Sequence, residues 1–187
     1  MAFPVKKIPG LGTEDFPRYT IQQWETWEGK WELIGGYPFA MTPAPSMRHQ
    51  TICWNLVIAI NQGLENCANC RGFLPVNLKV NETTVLQPDL IISCNVAPQG
   101  IYMETTPLVS FEVFSPGTRN KDRLTKSKVY AAMGIRYYVI IDPDSNLIEI
   151  FELKKDVYEL TFSKNTGDFT FQLPDCTAKV DFSEIWP

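Results

Sequence analysis

The sequence predicts an α/β domain in which a mixed β-sheet is flanked by helices, with an antiparallel C-terminal extension. Three observations carry this. Residues 107–142 read as strand, helix, strand; apolar runs at 73–80 and 88–94 precede that unit; and alternating segments at 147–153, 157–163 and 169–173 follow it. A strand–helix–strand unit in one sheet implies parallel strands joined by a right-handed crossover. Short links between alternating segments imply antiparallel neighbours, so the sheet is mixed.

Each element has a local reason. A helix is expected at about 20–28, from Thr20 through Ile21, Trp24 and Trp27 to Gly29. WELI at 31–34 and YPFAM at 37–41 flank Gly35 and Gly36, a two-residue hairpin turn that glycine reaches without strain. Residues 46–66 read as the longest helix, with Ser46 as N-cap and Ile52, Leu56, Ile60 and Leu64 along one stripe. A helix at 119–133 ends at Gly134, and RYYVIID at 136–142 reads as a buried strand. FSEIW at 182–186 is expected to close the domain as a helical turn.

Length and composition bound the rest. With 187 residues, 44 % of them hydrophobic, the chain suits one globular domain with a sizeable core, residues 1–17 reading as an N-terminal extension. Its apolar runs are far shorter than a membrane span, and the N-terminus lacks a secretory apolar region, so a cytoplasmic protein is the default. The five cysteines show no disulfide framework, and the CxxC of Cys67 and Cys70 has no second pair or histidines to complete a zinc site. Cys53 reads as a core residue of its helix. Net charge is −4, yet residues 119–136 hold Arg119, Lys121, Arg123, Lys126, Lys128 and Arg136 against Asp122 alone. Such a window either contacts phosphate or forms a solvated helix face.

Two acids stand inside apolar strands: Asp89 in QPDLIISCN and Glu112 in PLVSFEVF. If these runs pair as a symmetric antiparallel hairpin, 94 faces 107 and 89 faces 112. Cross-strand neighbours share a face, with Cβ atoms roughly 4.5–5.5 Å apart, a spacing that suits two carboxylates on one hard cation and suits two bare anions badly. Leu90, Ile92, Val109, Phe111 and Val113 take the opposite face by alternation. The bland alternative is a pair of strand-edge acids at solvent.

On a helical wheel Lys126 shares a stripe with Val129, Tyr130 and Met133, whereas Lys121 and Lys128 fall on the far side. Lys126 either reaches the acids, to position or deprotonate a water or hold a phosphate, or lends its stem to the core. His49, the one histidine, sits in the first turn of the long helix, where the dipole favours a neutral ring. One histidine cannot form a zinc site, so its role is capping or catalytic. Glu32, within WELIGG, is either edge-exposed or turned toward the polar site.

The strings WELIGGYPFAMTPAPSMRHQ, QPDLII and VSFEVFSPGTRNKDRLTKSKVYAAMGIRYYVIIDP, with the LPD…VDFSEIW tail, resemble the Uma-two family of putative restriction endonucleases, in the PD-(D/E)XK nuclease superfamily. The resemblance spans about residues 18–187. It implies a restriction-endonuclease-like fold and a metal-dependent endodeoxyribonuclease, with DNA as partner, a possible homodimer, and products carrying a 5′-phosphate and a 3′-hydroxyl. Asp89, Glu112 and the carbonyl of Val113 would hold Mg²⁺, for which Mn²⁺ can substitute, and Lys126 would be the motif lysine. Glu32 and His49 are implied as further site residues, while Ser115, Pro116, Thr118, Tyr130 and Asp142 fit the pattern. The superfamily signature places a lysine two residues after the glutamate; here that residue is Phe114. The alternative is a nuclease-fold module without useful catalysis, acting in DNA binding or protein interaction.

Overall fold

The computed structural model describes residues 15–41, 44–97, 99–115, 119 and 121–187. In chain order the elements are α1 (Ile21–Trp24), β1 (Trp31–Ile34), β2 (Tyr37–Ala40), α2 (Met47–Gly63), β3 (Cys70–Phe73), β4 (Asn77–Asn81), β5 (Thr84–Leu86), β6 (Leu90–Cys94), β7 (Tyr102–Met103) and β8 (Val109–Val113). A π-helical turn (Lys121–Lys126) then leads into α3 (Ser127–Met133), followed by β9 (Tyr137–Asp142), β10 (Leu147–Lys154), β11 (Val157–Lys164), β12 (Asp168–Gln172) and β13 (Thr177–Asp181).

The expected unit lies at the centre. β8 and β9 are direct parallel neighbours across the crossover helix, and every residue of both strands is buried, as two-sided cover requires. They sit inside a six-stranded mixed sheet of order β11-β10-β9-β8-β6-β3. One face of this sheet packs Leu90, Ile92, Phe111, Val113, Val139 and Ile141 against Ile52, Leu56 and Ile60 of α2 and Phe171 and Val180 of the β12–β13 hairpin. The other packs Ile91, Tyr138 and Ile140 against Tyr130 of α3 and against Leu78 and Leu86 of a second, five-stranded sheet of order β2-β1-β5-β4-β7.

Local signals behave as their chemistry requires. Ser46 caps α2 by accepting from the N–H of His49 at 3.2 Å. The β1–β2 hairpin turns through Gly35 and Gly36, both at positive φ (58° and 86°), and Gly134 ends α3 in the left-handed region. At the other end of α2, a Cβ on Gly63 would lie 2.7 Å from the carbonyl oxygen of Lys179, so the helix is seated directly on β13.

Three expectations fail, and short strands go unforeseen. The run at 73–80 is two strands in two different sheets, broken at Pro75, which has no N–H for a ladder and disfavours a continuous strand. The C-terminal segment 182–186 forms a turn and no helix. β5 and β13, three and five residues long, were too short or too weakly patterned to be foreseen. Finally, four cysteines are crosslinked, Cys67 to Cys176 and Cys70 to Cys94. Cys70 and Cys94 are direct cross-strand partners of β3 and β6. The CxxC spacing concealed both bonds because each of its cysteines pairs with a distant element. Such bonds persist in oxidising surroundings.

Candidate functional site

β6 and β8 pair with Leu90 opposite Phe111, Ile91 opposite Ser110 and Ile92 opposite Val109. This is the register of the symmetric hairpin; the ladder ends at Leu90 and Phe111, and the same register carried one position further would set Asp89 opposite Glu112. The backbone there is closed by a side chain: Asp89 Oδ2 accepts from the N–H of Val113 at 2.8 Å. α2 delivers His49 to the same point, its Nε2 lying 3.0 Å from the carbonyl oxygen of Val113 and 3.5 Å from Asp89 Oδ2.

These neighbours reverse the expected protonation of His49. Burial alone would lower its pKa, but the Asp89 carboxylate and the contact with Cys53 together push it up to about 10. A helix dipole offers about half a charge at a distance, whereas Asp89 is a full charge within reach. That shift favours the protonated ring, whose Nε2–H would donate to the Val113 carbonyl.

Glu112 belongs to a second, deeper cluster. Its Oε1 accepts from Lys126 Nζ at 2.8 Å and from the Tyr130 hydroxyl at 2.6 Å. Lys126 Nζ also lies 2.9 Å from Glu32 Oε1 and 3.4 Å from Asp122 Oδ1. Glu32 is fully buried; its Oε1 accepts from the N–H of Gln87 at 2.9 Å and its Oε2 pairs with Lys121. The strand-edge alternative therefore fails for both Glu32 and Glu112.

The electrostatics follow from this crowding. Burial pushes the Glu112 carboxyl well above the ordinary range, reinforced by Asp122, Asp89 and Glu32 and opposed by Lys126. Burial would neutralise Lys126, but Glu112, Tyr130, Glu32 and Asp122 more than reverse that, so it stays an ammonium. For Glu32, burial raises the pKa, and Lys126 and Lys121 overcome it to leave the group lowered.

The helix wheel placed Lys126 correctly, with Tyr130 buried beside it and Val129 and Met133 packed on the same cluster. It misplaced Lys121. On a regular α-helix positions 121 and 126 point roughly 140° apart, but this segment is a π turn, bonded i→i+5, which swings both toward Glu32. The same turn buries Asp122, a site neighbour for which the i,i+4 spacing to Lys126 was the available signal.

The basic window is largely neutralised from within. Arg119 forks onto Asp142 at 2.8 and 2.9 Å, Arg123 pairs with Glu149, Arg136 with Glu152, and Lys121 and Lys126 with the buried acids. Lys128 is exposed. Phe114, which stands where the superfamily signature has its lysine, is buried beneath the guanidiniums of Arg119 and Arg123. Pro116 and Thr118 lie outside the described residues.

Comparison with known proteins bears on this geometry. The family profile for Uma2, described as "Putative restriction endonuclease", matches residues 14–180. Among solved structures, the fold is similar to a crystal structure described as "a putative nuclease belonging to DUF820" from Anabaena variabilis. The TM-score is 0.68 at 18 % identity, over 83 % of this chain and 89 % of that one. No curated protein gives a significant match. The restriction-endonuclease-like α/β fold thus has independent support from structure.

Proposed function

The chain belongs to the Uma2 family of putative restriction endonucleases, and from that premise we propose that it is a metal-dependent endodeoxyribonuclease, hydrolysing DNA phosphodiester bonds with a metal-activated water. The observation that carries this reading is the Asp89 carboxylate bonded to the backbone of Val113, the residue that follows Glu112. Asp89, Glu112 and the Val113 carbonyl are oxygen donors, the set a hard cation takes. Bound there, Mg²⁺, or Mn²⁺ in its place, would polarise the scissile phosphate and lower the pKa of a coordinated water.

The surrounding residues have distinct tasks in this reading. Lys126 is held protonated by three carboxylates, so it stabilises developing negative charge and does not take a proton from water. Tyr130 and Lys126 fix Oε1 of Glu112, leaving Oε2 for the cation. Glu32 holds Lys126 from the far side, and His49 anchors the Val113 carbonyl and Asp89. A homodimer, one site for each strand of a duplex, extends the same reading. No helix among the described residues is long and apolar enough to cross a membrane.

A second reading has its own support. The internal pairing of the basic window and the burial of Phe114 favour a module that binds DNA or protein without cleaving. Supercoiled plasmid separates the two. With Mg²⁺ or Mn²⁺ the wild type should nick or linearise it, and Asp89→Ala and Glu112→Ala should leave it intact. Retarded but uncut DNA would favour the non-cleaving module. Uncut supercoiled, linear and single-stranded DNA, with no metal uptake by calorimetry, would sink the enzyme reading.

A further inference from the structure

We propose that His49, Cys53 and Asp89 form a binding site for a borderline divalent transition metal of the zinc or cobalt type, sharing Asp89 with the oxygen-donor position but not depending on Glu112. This goes beyond the nuclease reading, which uses only hard oxygen donors.

One ligand atom from each of the three residues lies within 4.8 Å of the other two. The geometry has a simple origin. His49 and Cys53 are four residues apart on α2 and therefore share a face, with Nδ1 3.6 Å from Sγ. Asp89 approaches that face from the start of β6, 3.5 Å from the other ring nitrogen. One histidine alone cannot form a zinc site; the fold supplies a sulfur and a carboxylate in place of more histidines.

The donor set also fits in kind. A nitrogen, a sulfur and an oxygen ligand leave a fourth tetrahedral position open, as in zinc sites that do chemistry. Thiolate binding selects against Mg²⁺ and for softer ions. Binding would displace the ring proton from the nitrogen that faces the ion and the thiol proton of Cys53, whose pKa burial raises, so uptake should strengthen as pH rises. Two anionic ligands would balance a divalent ion. Access exists as well, because Cys53 is half-buried and 22 % of the Asp89 side chain is exposed. Cys53 is the free thiol, the other four cysteines being paired.

Titration of the unreduced protein with Co²⁺ tests this directly. The expected result is a thiolate-to-cobalt charge-transfer band that saturates with one ion per chain. Cys53→Ser should abolish the band and weaken Co²⁺ binding roughly tenfold or more, and His49→Gln should weaken binding similarly. Glu112→Gln should retain the band. Circular dichroism of each variant identifies any that fails to fold. Absence of the band in the wild type, or its survival in folded Cys53→Ser, overturns the proposal. The nuclease reading fails separately: a chain that shows the band but never cuts DNA keeps this site and loses that activity.

Discussion

Lys126 donates a 2.8 Å hydrogen bond to Glu112 although the two lie 14 positions apart, one on the π turn and one at the end of β8. Each side chain is only 3 % exposed, so neither charge has water to fall back on. The lysine serves Glu32 and Asp122 as well. One cation therefore stabilises three buried acids, and the two ends of the pair are not equivalent.

Lys126→Met should be the more damaging change. Removing one partner of a buried pair costs about 3–5 kcal/mol, and here several carboxylates lose their cation together. Glu112→Gln keeps an oxygen that accepts from Lys126 and Tyr130, and should cost less. Urea unfolding of both variants checks the ranking; a Lys126→Met midpoint equal to the wild type would refute it.

Tyr130→Phe isolates the second donor. It removes the 2.6 Å bond to Glu112 while leaving the ring edge-on to Tyr138. Burial favours the neutral Glu112 carboxyl, and a hydrogen bond between neutral groups contributes about 0.5–1.5 kcal/mol. Chemical denaturation should show a loss in that range with an unchanged m-value, since the packing is conserved.

What the sequence disclosed about this cluster was whatever local periodicity controls. Alternation sorted the faces of β6 and β8, hairpin symmetry set their register, and the wheel turned Lys126 and Tyr130 inward. The placing of Glu32 is not legible locally because a four-residue strand does not reveal what packs on it; its partners Gln87 and Lys121 are 55 and 89 positions away. The same limit hid the disulfides and the approach of Cys53 to Asp89. The dipole argument for His49 failed because the stronger charge comes from another element. The π turn defeated the wheel at Lys121 because its period is not 3.6.

Acid should expose the contribution of Asp142. Burial raises its pKa, but the Arg119 fork, Ser145 and the N–H of Asp144 outweigh that and hold it below the ordinary carboxylate range. A depressed carboxylate contributes fully above its unfolded pKa, about 3.9, and loses that contribution as pH falls through the lower folded value. Wild type should therefore exceed Asp142→Asn in urea midpoint at neutral pH, and the gap should narrow below about pH 4. A gap that stays constant or widens in acid would contradict the assignment.

Reduction should loosen the seat of α2. Cys67 follows that helix and Cys176 precedes β13, so their bond ties the helix end to the hairpin on which Gly63 rests. It spans 109 positions and the Cys70–Cys94 bond spans 24. Loop closure constrains the unfolded chain more for the longer span, and a native disulfide typically contributes about 2–4 kcal/mol. Cys176→Ser should accordingly lower the melting temperature more than Cys94→Ser, and dithiothreitol should lower that of the wild type. If dithiothreitol leaves the wild-type transition unmoved after thiol titration has shown five free cysteines, the crosslinks do not support the fold. If titration finds one thiol in the untreated protein, that thiol is Cys53, and α2 is anchored covalently at one end while its first turn presents His49 to Asp89.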